Sequence, residues 1–187
     1  MKLKITFNSP VVLCFIIICF VATILNYITM GASNTLLFST YHSALTNPMT
    51  YVRFITYIFG HADISHFAGN AMYILLLGPM LEEKYGSKML IIIMGITAVI
   101  TALINYVLFP NIALCGASGI VFAFILLTSF TGFKQGEIPL TFILVAIVFI
   151  GQQIVEGITI QDNVSNLSHI IGGIIGTVIG YVLNKSK

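Results

Sequence analysis

Three short stretches of the sequence carry residue types that could do chemistry. Ser118 stands among small residues in Cys115-Gly116-Ala117-Ser118-Gly119, and His169 opens His169-Ile-Ile-Gly172-Gly173-Ile-Ile-Gly176. The third stretch, His61-Ala-Asp63-Ile-Ser-His66-Phe-Ala-Gly-Asn70, adds two histidines and an amide. A serine hydroxyl beside an imidazole makes an activated nucleophile, because the ring can take the hydroxyl proton and return it to a leaving group. His66 and Asn70 are i,i+4 neighbours on one helix face. Both can donate hydrogen bonds, and acyl transfer needs donors aimed at the developing oxyanion. No Asp or Glu lies in the apolar segments near His169 to orient it, so Ser118 and His169 read as a dyad. Simpler readings exist for each: Ser118 as a helix cap, His169 as a buried imidazole bonded to a carbonyl. A metal centre fails on spacing, since Glu82 and Glu83 lie at least twelve residues beyond Asn70, or ~18 Å along a helix, and Asn is a poor transition-metal ligand.

The elements that must position these groups lie in a membrane. The chain has 187 residues, 58% hydrophobic and 7% charged. A soluble domain carries roughly 25% charged residues, so this supply cannot clothe a water-solvated surface. The net charge of +2 is too small to indicate a nucleic-acid partner. Cys14, Cys19 and Cys115 form neither a disulfide framework nor a metal-spacing motif. Six spans follow from the apolar runs, at about 11–29, 64–81, 89–109, 118–131, 139–156 and 164–183, in one domain covering 1–187. The first run lacks a small-residue cleavage site and reads as a retained span. Pro79 is expected to kink the second span, and Pro139 to open the fifth.

With six spans, both termini share one side of the membrane. All seven lysines (Lys2, Lys4, Lys84, Lys88, Lys134, Lys185 and Lys187) fall on that side, and only Arg53 falls on the other. This bias places the termini in the cytoplasm. The fourth span is short: residues 118 to 131 rise about 21 Å, less than the ~30 Å hydrocarbon thickness. With its inner end pinned by Gly132 and Lys134, Ser118 must stand below the outer surface, and the segment from Pro110 to Ala117 must dip in to reach it. Irregular backbone at that depth has to be buried in protein or line a watery cavity. His169 is about 9 Å below an outer end near Asn163, a depth similar to that of Ser118. Gly172, Gly176 and Gly180 form one glycine face, and Gly119 with Ala123 forms a matching small pair. Contact between these faces would bring Ser118 and His169 within reach.

Taken together, His61-x4-His66-x3-Asn70, Gly116-x-Ser118-Gly119-x3-Ala123, His169-x2-Gly172-x3-Gly176 and Gly78-x3-Glu82 resemble the rhomboid intramembrane serine proteases. The motifs stand on the second, fourth and sixth spans, as in that family, and the likeness covers about residues 10 to 184. It is not the Gly-x-Ser-x-Gly elbow of the α/β-hydrolases, because position 120 is Ile.

The resemblance implies an all-α, polytopic six-helix membrane fold and a serine endopeptidase that needs no cofactor. Ser118 would be the nucleophile and His169 the base, then the acid. The oxyanion would be held by the Ser118 backbone N–H with His66 and Asn70. His61 would be an accessory residue of the outer cavity, with Gly116 and Phe122 as further accessory positions. Arg53 matches the Arg of the family's Trp-Arg pair in a membrane-lying loop, here about Gly31 to Gly60. Two departures stand out: Val52 replaces the Trp, and Phe122 replaces a frequent Tyr that packs on the histidine. Implied substrates are single-span membrane proteins within the lipid bilayer, cut near the outer face. They would enter sideways past the fifth span, whose Gly151, Gln152, Gln153 and Gly157 make its outer half less oily. The bare core and the lack of a targeting segment point to a bacterial plasma membrane with the site open to the outside. Two other readings remain open: an inactive rhomboid-like protein that binds membrane proteins, and a small-solute transporter, although the chain has no internal repeat of the kind many transporters show.

Overall fold

The computed structural model describes residues 3, 5–131, 137–159 and 166–184. Seven α-helices follow in chain order: α1 (Pro10–Ile28), α2 (Pro48–Thr56), α3 (Ile64–Tyr85), α4 (Ser87–Leu108), α5 (Ser118–Ser129), α6 (Leu140–Thr159) and α7 (Asn166–Asn184). Six of them form the bundle, and α2 belongs to the long first loop. Among the described residues, α1, α3, α4 and α7 are long and apolar enough to cross a membrane, while α5 and the Leu140–Gln153 part of α6 are shorter. The protein is therefore a polytopic helical membrane protein. Gly132, Lys134, Asn163 and Val164, with the terminal lysines Lys2, Lys4, Lys185 and Lys187, lie outside the described residues.

Local chemistry explains where the helices begin and end. Pro10 occupies the first turn of α1, where its missing N–H is no loss. The exposed amides of that turn are met from another helix: the buried Glu82 carboxylate accepts from the Val11 and Val12 N–H groups at 3.0 and 3.1 Å, and from the Ser87 hydroxyl at 2.7 Å. A carboxylate at a helix N-terminus is favoured by the helix dipole, so Glu82 ties α1 to the α3–α4 turn. Asp63 caps α3 by accepting from the His66 N–H at 2.8 Å. Pro79 is accommodated within a continuous α3. Pro139 stands one residue before α6, its carbonyl accepting from the Phe142 N–H at 3.0 Å. The hydroxyls of Thr23, Thr97 and Thr177 bond back to carbonyls four residues earlier, so these three need no water.

α5 is the centre of the bundle, packed by α3, α4, α6 and α7. Eight of its twelve residues are buried, and Phe124, Leu126 and Leu127 are fully enclosed. It meets α7 at nearly backbone distance. A Cβ added to Gly172 would lie 2.0 Å from the Gly119 carbonyl oxygen, and one added to Gly176 would lie 2.2 Å from that of Ala123. The glycine face of the sixth span thus meets the small pair of the fourth in the expected register. At the inner end of the seam, a Cβ on Gly180 would press on Phe130 at 2.8 Å.

This seam makes a testable distinction among glycines. Gly172→Ala or Gly176→Ala should lower the thermal midpoint of the purified protein in detergent, through overpacking worth about 1–3 kcal/mol. Gly95→Ala on α4, where a Cβ meets nothing within 4 Å, should leave the midpoint unchanged or raise it slightly. Equal midpoints for the three variants would show that the seam has slack.

Candidate active site

The segment before α5 is irregular but not loose. Leu114 and Thr40 exchange two backbone hydrogen bonds, at 2.9 and 2.8 Å, and the Gly116 N–H donates to the Tyr57 carbonyl at 3.0 Å. The Asn105 amide donates to the Ile112 carbonyl at 2.9 Å. Non-helical backbone in the bundle is thereby satisfied by protein, as the bilayer requires. Gly116 has φ +128, a conformation few L residues adopt. Ala117 is the N-cap of α5 and makes no side-chain cap bond, so Ser118 is the first helical residue and not a cap. Its hydroxyl is left for other work at the positive end of a helix.

His169 lies in the first turn of α7, and its ring is held from two sides. Phe122, one turn after Ser118 on α5, stacks on it with centroids 4.4 Å apart and planes 6° from parallel. Replacing a phenol by a phenyl ring therefore keeps the stacking. Across from α6, Oε1 of Gln153 lies 2.5 Å from Nδ1 of His169, within hydrogen-bond distance. An amide oxygen can only accept, so this contact is a hydrogen bond in the Nδ1–H tautomer, which keeps the lone pair on Nε2. The sequence reading found no acid to orient His169 and overlooked Gln153 in that role. The available signal was a pair of glutamines interrupting an otherwise apolar helix.

His66 and Asn70 reach the same place from α3. A Cβ on Gly116 would lie 2.7 Å from the His66 ring and 3.7 Å from Nδ2 of Asn70, so the two side chains rest directly against the glycine two residues before Ser118. Nδ2 of Asn70 is buried and has no hydrogen-bond partner among the described residues. Ser118, His169, His66 and Asn70 line one cavity of about 690 Å³, with Asp63 and Tyr73. The structure therefore brings together the four residues singled out for catalysis, with Gly116 and Phe122. It sets His61 apart: this ring is 1% exposed and packs behind His66 and against Phe67, edge to face at 5.1 and 5.6 Å. It supports the cavity wall instead of lining the outer cavity, because the turn from Gly60 into α3 folds it inward.

Comparison with known proteins decides the lineage. Residues 48–186 match the family model of the Rhomboid domain. The chain belongs to the rhomboid family. It is 32% identical over 142 residues to Rhomboid-related protein 1 of Caenorhabditis elegans, covering 70% of this chain and 39% of that protein. It is 24% identical over 148 residues to the chloroplastic Rhomboid-like protein 11 of Arabidopsis thaliana, covering 71% of this chain and 52% of that protein. The chain thus spans about half or less of these relatives' lengths. Both are eukaryotic, so the bacterial membrane expected from the sequence draws no support from them.

In this rhomboid the first loop is a platform. A π-helical turn (Asn34–Phe38), α2 and a 3₁₀ turn (Tyr57–Phe59) carry it from α1 to α3. Arg53 is buried, donates from Nε to the Leu36 carbonyl at 2.9 Å, and places its guanidinium 4.5 Å over the Tyr41 ring. Val52, at the expected Trp position, is exposed, so Arg53 seats the loop without it. A Cβ on Gly60 would strike the Phe38 carbonyl at 2.3 Å and the Cys115 sulfur at 2.9 Å, which locks the loop against the segment leading to Ser118. Burial pushes the Cys115 thiol up to about 11, in keeping with a packing role.

His61 gives this platform a pH dependence. Burial, then the neighbouring His66, push its ring down to about 4, partly opposed by the Phe59 carbonyl and Asp63. Its ordinary value is 6.5, so the folded state binds the proton less well than the unfolded chain. The stability it contributes is complete above about pH 6.5 and is lost as the pH falls towards 4. The thermal midpoint should fall across that window, and less steeply in His61→Phe. Parallel slopes would remove His61 as the source.

Proposed function

We propose that this rhomboid is an intramembrane serine protease that hydrolyses a peptide bond in or near the transmembrane segment of single-span membrane proteins. The observation that carries this reading is the convergence of Ser118 and His169 on one cavity, with Nδ1 of His169 against the Gln153 amide oxygen, a contact that suits the tautomer with Nε2 as base. In the reaction, Oγ of Ser118 attacks the scissile carbonyl carbon while Nε2 of His169 takes the hydroxyl proton. The imidazolium then gives that proton to the leaving amine, and the acyl-enzyme forms. Water, activated by the same ring, breaks the ester and regenerates Ser118.

The negative oxygen of each tetrahedral intermediate needs fixed donors in a site of low dielectric. The Ser118 N–H at the helix start, the His66 ring and Nδ2 of Asn70 are the donors in reach. An unpaired buried amide is unfavourable in the resting protein, and Asn70 regains a partner when the oxyanion forms. Removing one such donor typically lowers kcat by about 10²–10³-fold.

Water must reach the serine, and the substrate helix must unwind to expose its amides. The cavity supplies the first. For the second, the substrate enters between α3 and α6. The first loop is pinned by its Thr40–Leu114 and Arg53 bonds. By contrast, α6 packs on α5 and α7 and has no extended contact with α3 among the described residues. The lysine distribution orients the protein with both termini cytoplasmic and the cavity facing outward. Arg53, the one basic residue on the other side, is consumed in the loop's own packing.

Purified protein in liposomes carrying a fluorogenic single-span substrate tests the reading. Ser118→Ala and His169→Ala should each lose more than about 10³-fold in turnover with folding intact, and a fluorophosphonate should label Ser118. Wild-type turnover in Ser118→Ala would sink the assignment. Labelling without cleavage of any single-span substrate would point to a different substrate class. A crosslink between α3 and α6 should block cleavage, and undiminished turnover would reject the lateral route.

A further inference from the structure

α6 is exposed along most of its length, with Leu144, Ile147, Val148 and Val155 all more than half accessible. Among its described side chains only Gln153 is buried, at 4% exposure. Helices at the edge of a membrane bundle bury apolar or small residues against their neighbours, and an intramembrane amide turned inward is unfavourable without a bonded partner. The partner here is Nδ1 of His169 at 2.5 Å. Phe149, one turn earlier on the same helix, meets Phe122 edge to face at 5.7 Å, on the ring that stacks on His169. α6 therefore reaches the imidazole directly through Gln153 and backs it indirectly through Phe149, which packs on the stacked Phe122.

We propose that Gln153 is a positioning residue for His169, filling with a neutral amide the place that a carboxylate holds in a Ser-His-Asp triad; the inference rests on the protease reading above. The amide oxygen fixes the Nδ1–H tautomer and the ring's rotation, so that Nε2 faces the Ser118 hydroxyl. A carboxylate would do the same and also stabilise the imidazolium. In this apolar bundle an amide avoids burying a charge and accepts a weaker stabilisation of the charged ring. The orienting group also stands on the helix that borders the entry route. A substrate that pushes α6 outward draws Gln153 from His169, and the base regains its aim only when α6 returns.

The test uses the full chain in liposomes. Gln153→Leu keeps the volume and removes the acceptor, and Gln153→Glu keeps an acceptor. With folding matched by thermal midpoint, Gln153→Leu should lose about 10- to 100-fold in kcat with KM nearly unchanged, since the base remains and only its aim is lost. Gln153→Glu should keep activity within a few-fold of wild type. Protein labelled with 15N-histidine, with the His169 signals identified by their loss in His169→Gln, should show His169 as the Nδ1–H tautomer, and Gln153→Leu should shift that population. Unchanged kcat in Gln153→Leu, failure of Gln153→Glu to retain activity, or a wild-type His169 protonated on Nε2 would each overturn the proposal. Ser118→Ala, run in parallel, reports on the protease reading alone. The tautomer measurement needs no turnover, so the two readings can fail separately.

Discussion

The fold depends on one constraint: at Gly172 and Gly176, α7 meets the carbonyl oxygens and α-carbons of Gly119 and Ala123 on α5 at backbone distance. Water cannot drive helices together within lipid, so close van der Waals contact has to do so. Gly172 and Gly176 permit an approach that a single methyl group would prevent. Every distance in the candidate site follows from that approach. Ser118 starts one of the two helices, His169 sits in the first turn of the other, and Phe122 bridges them. A seam looser by one methyl would part Ser118 from His169 before either residue was altered.

A second constraint is the bookkeeping of backbone polar groups where a helix is interrupted inside the bundle. The chain breaks its helical ladder between Leu108 and Ser118, and each freed group there that the bonding pattern accounts for finds protein. Thr40, Tyr57 and Asn105 supply partners from the first loop and α4. The same principle holds at the opposite face, where Glu82 receives the first amides of α1. The first loop is thus as much part of the site as the bundle, because it holds the backbone that delivers Ser118.

Much of this was legible in the residues. The fourth span was expected to be short, as α5 is, and the glycine spacing of the sixth span predicted which face it would turn to α5. Both expectations rest on helical geometry, which sequence spacing encodes directly. What escaped was long-range and irregular. Nothing in the spacing tells that Thr40 pairs with Leu114, since a loop's partners are set by tertiary closure. Gln153 was visible as a polar residue in an apolar helix, yet its partner required knowing how α6 is rotated. His61 misled for a related reason: its place five residues before His66 suggests a shared cavity, but the turn into α3 points it behind its neighbour.

The enclosure of α5 has a consequence for the lipid. A helix of twelve residues is about 18 Å long, far shorter than the bilayer, and hydrophobic mismatch of that size would ordinarily force thinning or tilt. Its neighbours hold it on four sides, so its ends are set by glycine contacts and carbonyl bonds. The outer helices can tilt as the membrane thickens or thins, while the height of the serine is measured against protein. Membranes of different thickness would therefore set different segments of a neighbouring helix against an unchanged level of Ser118.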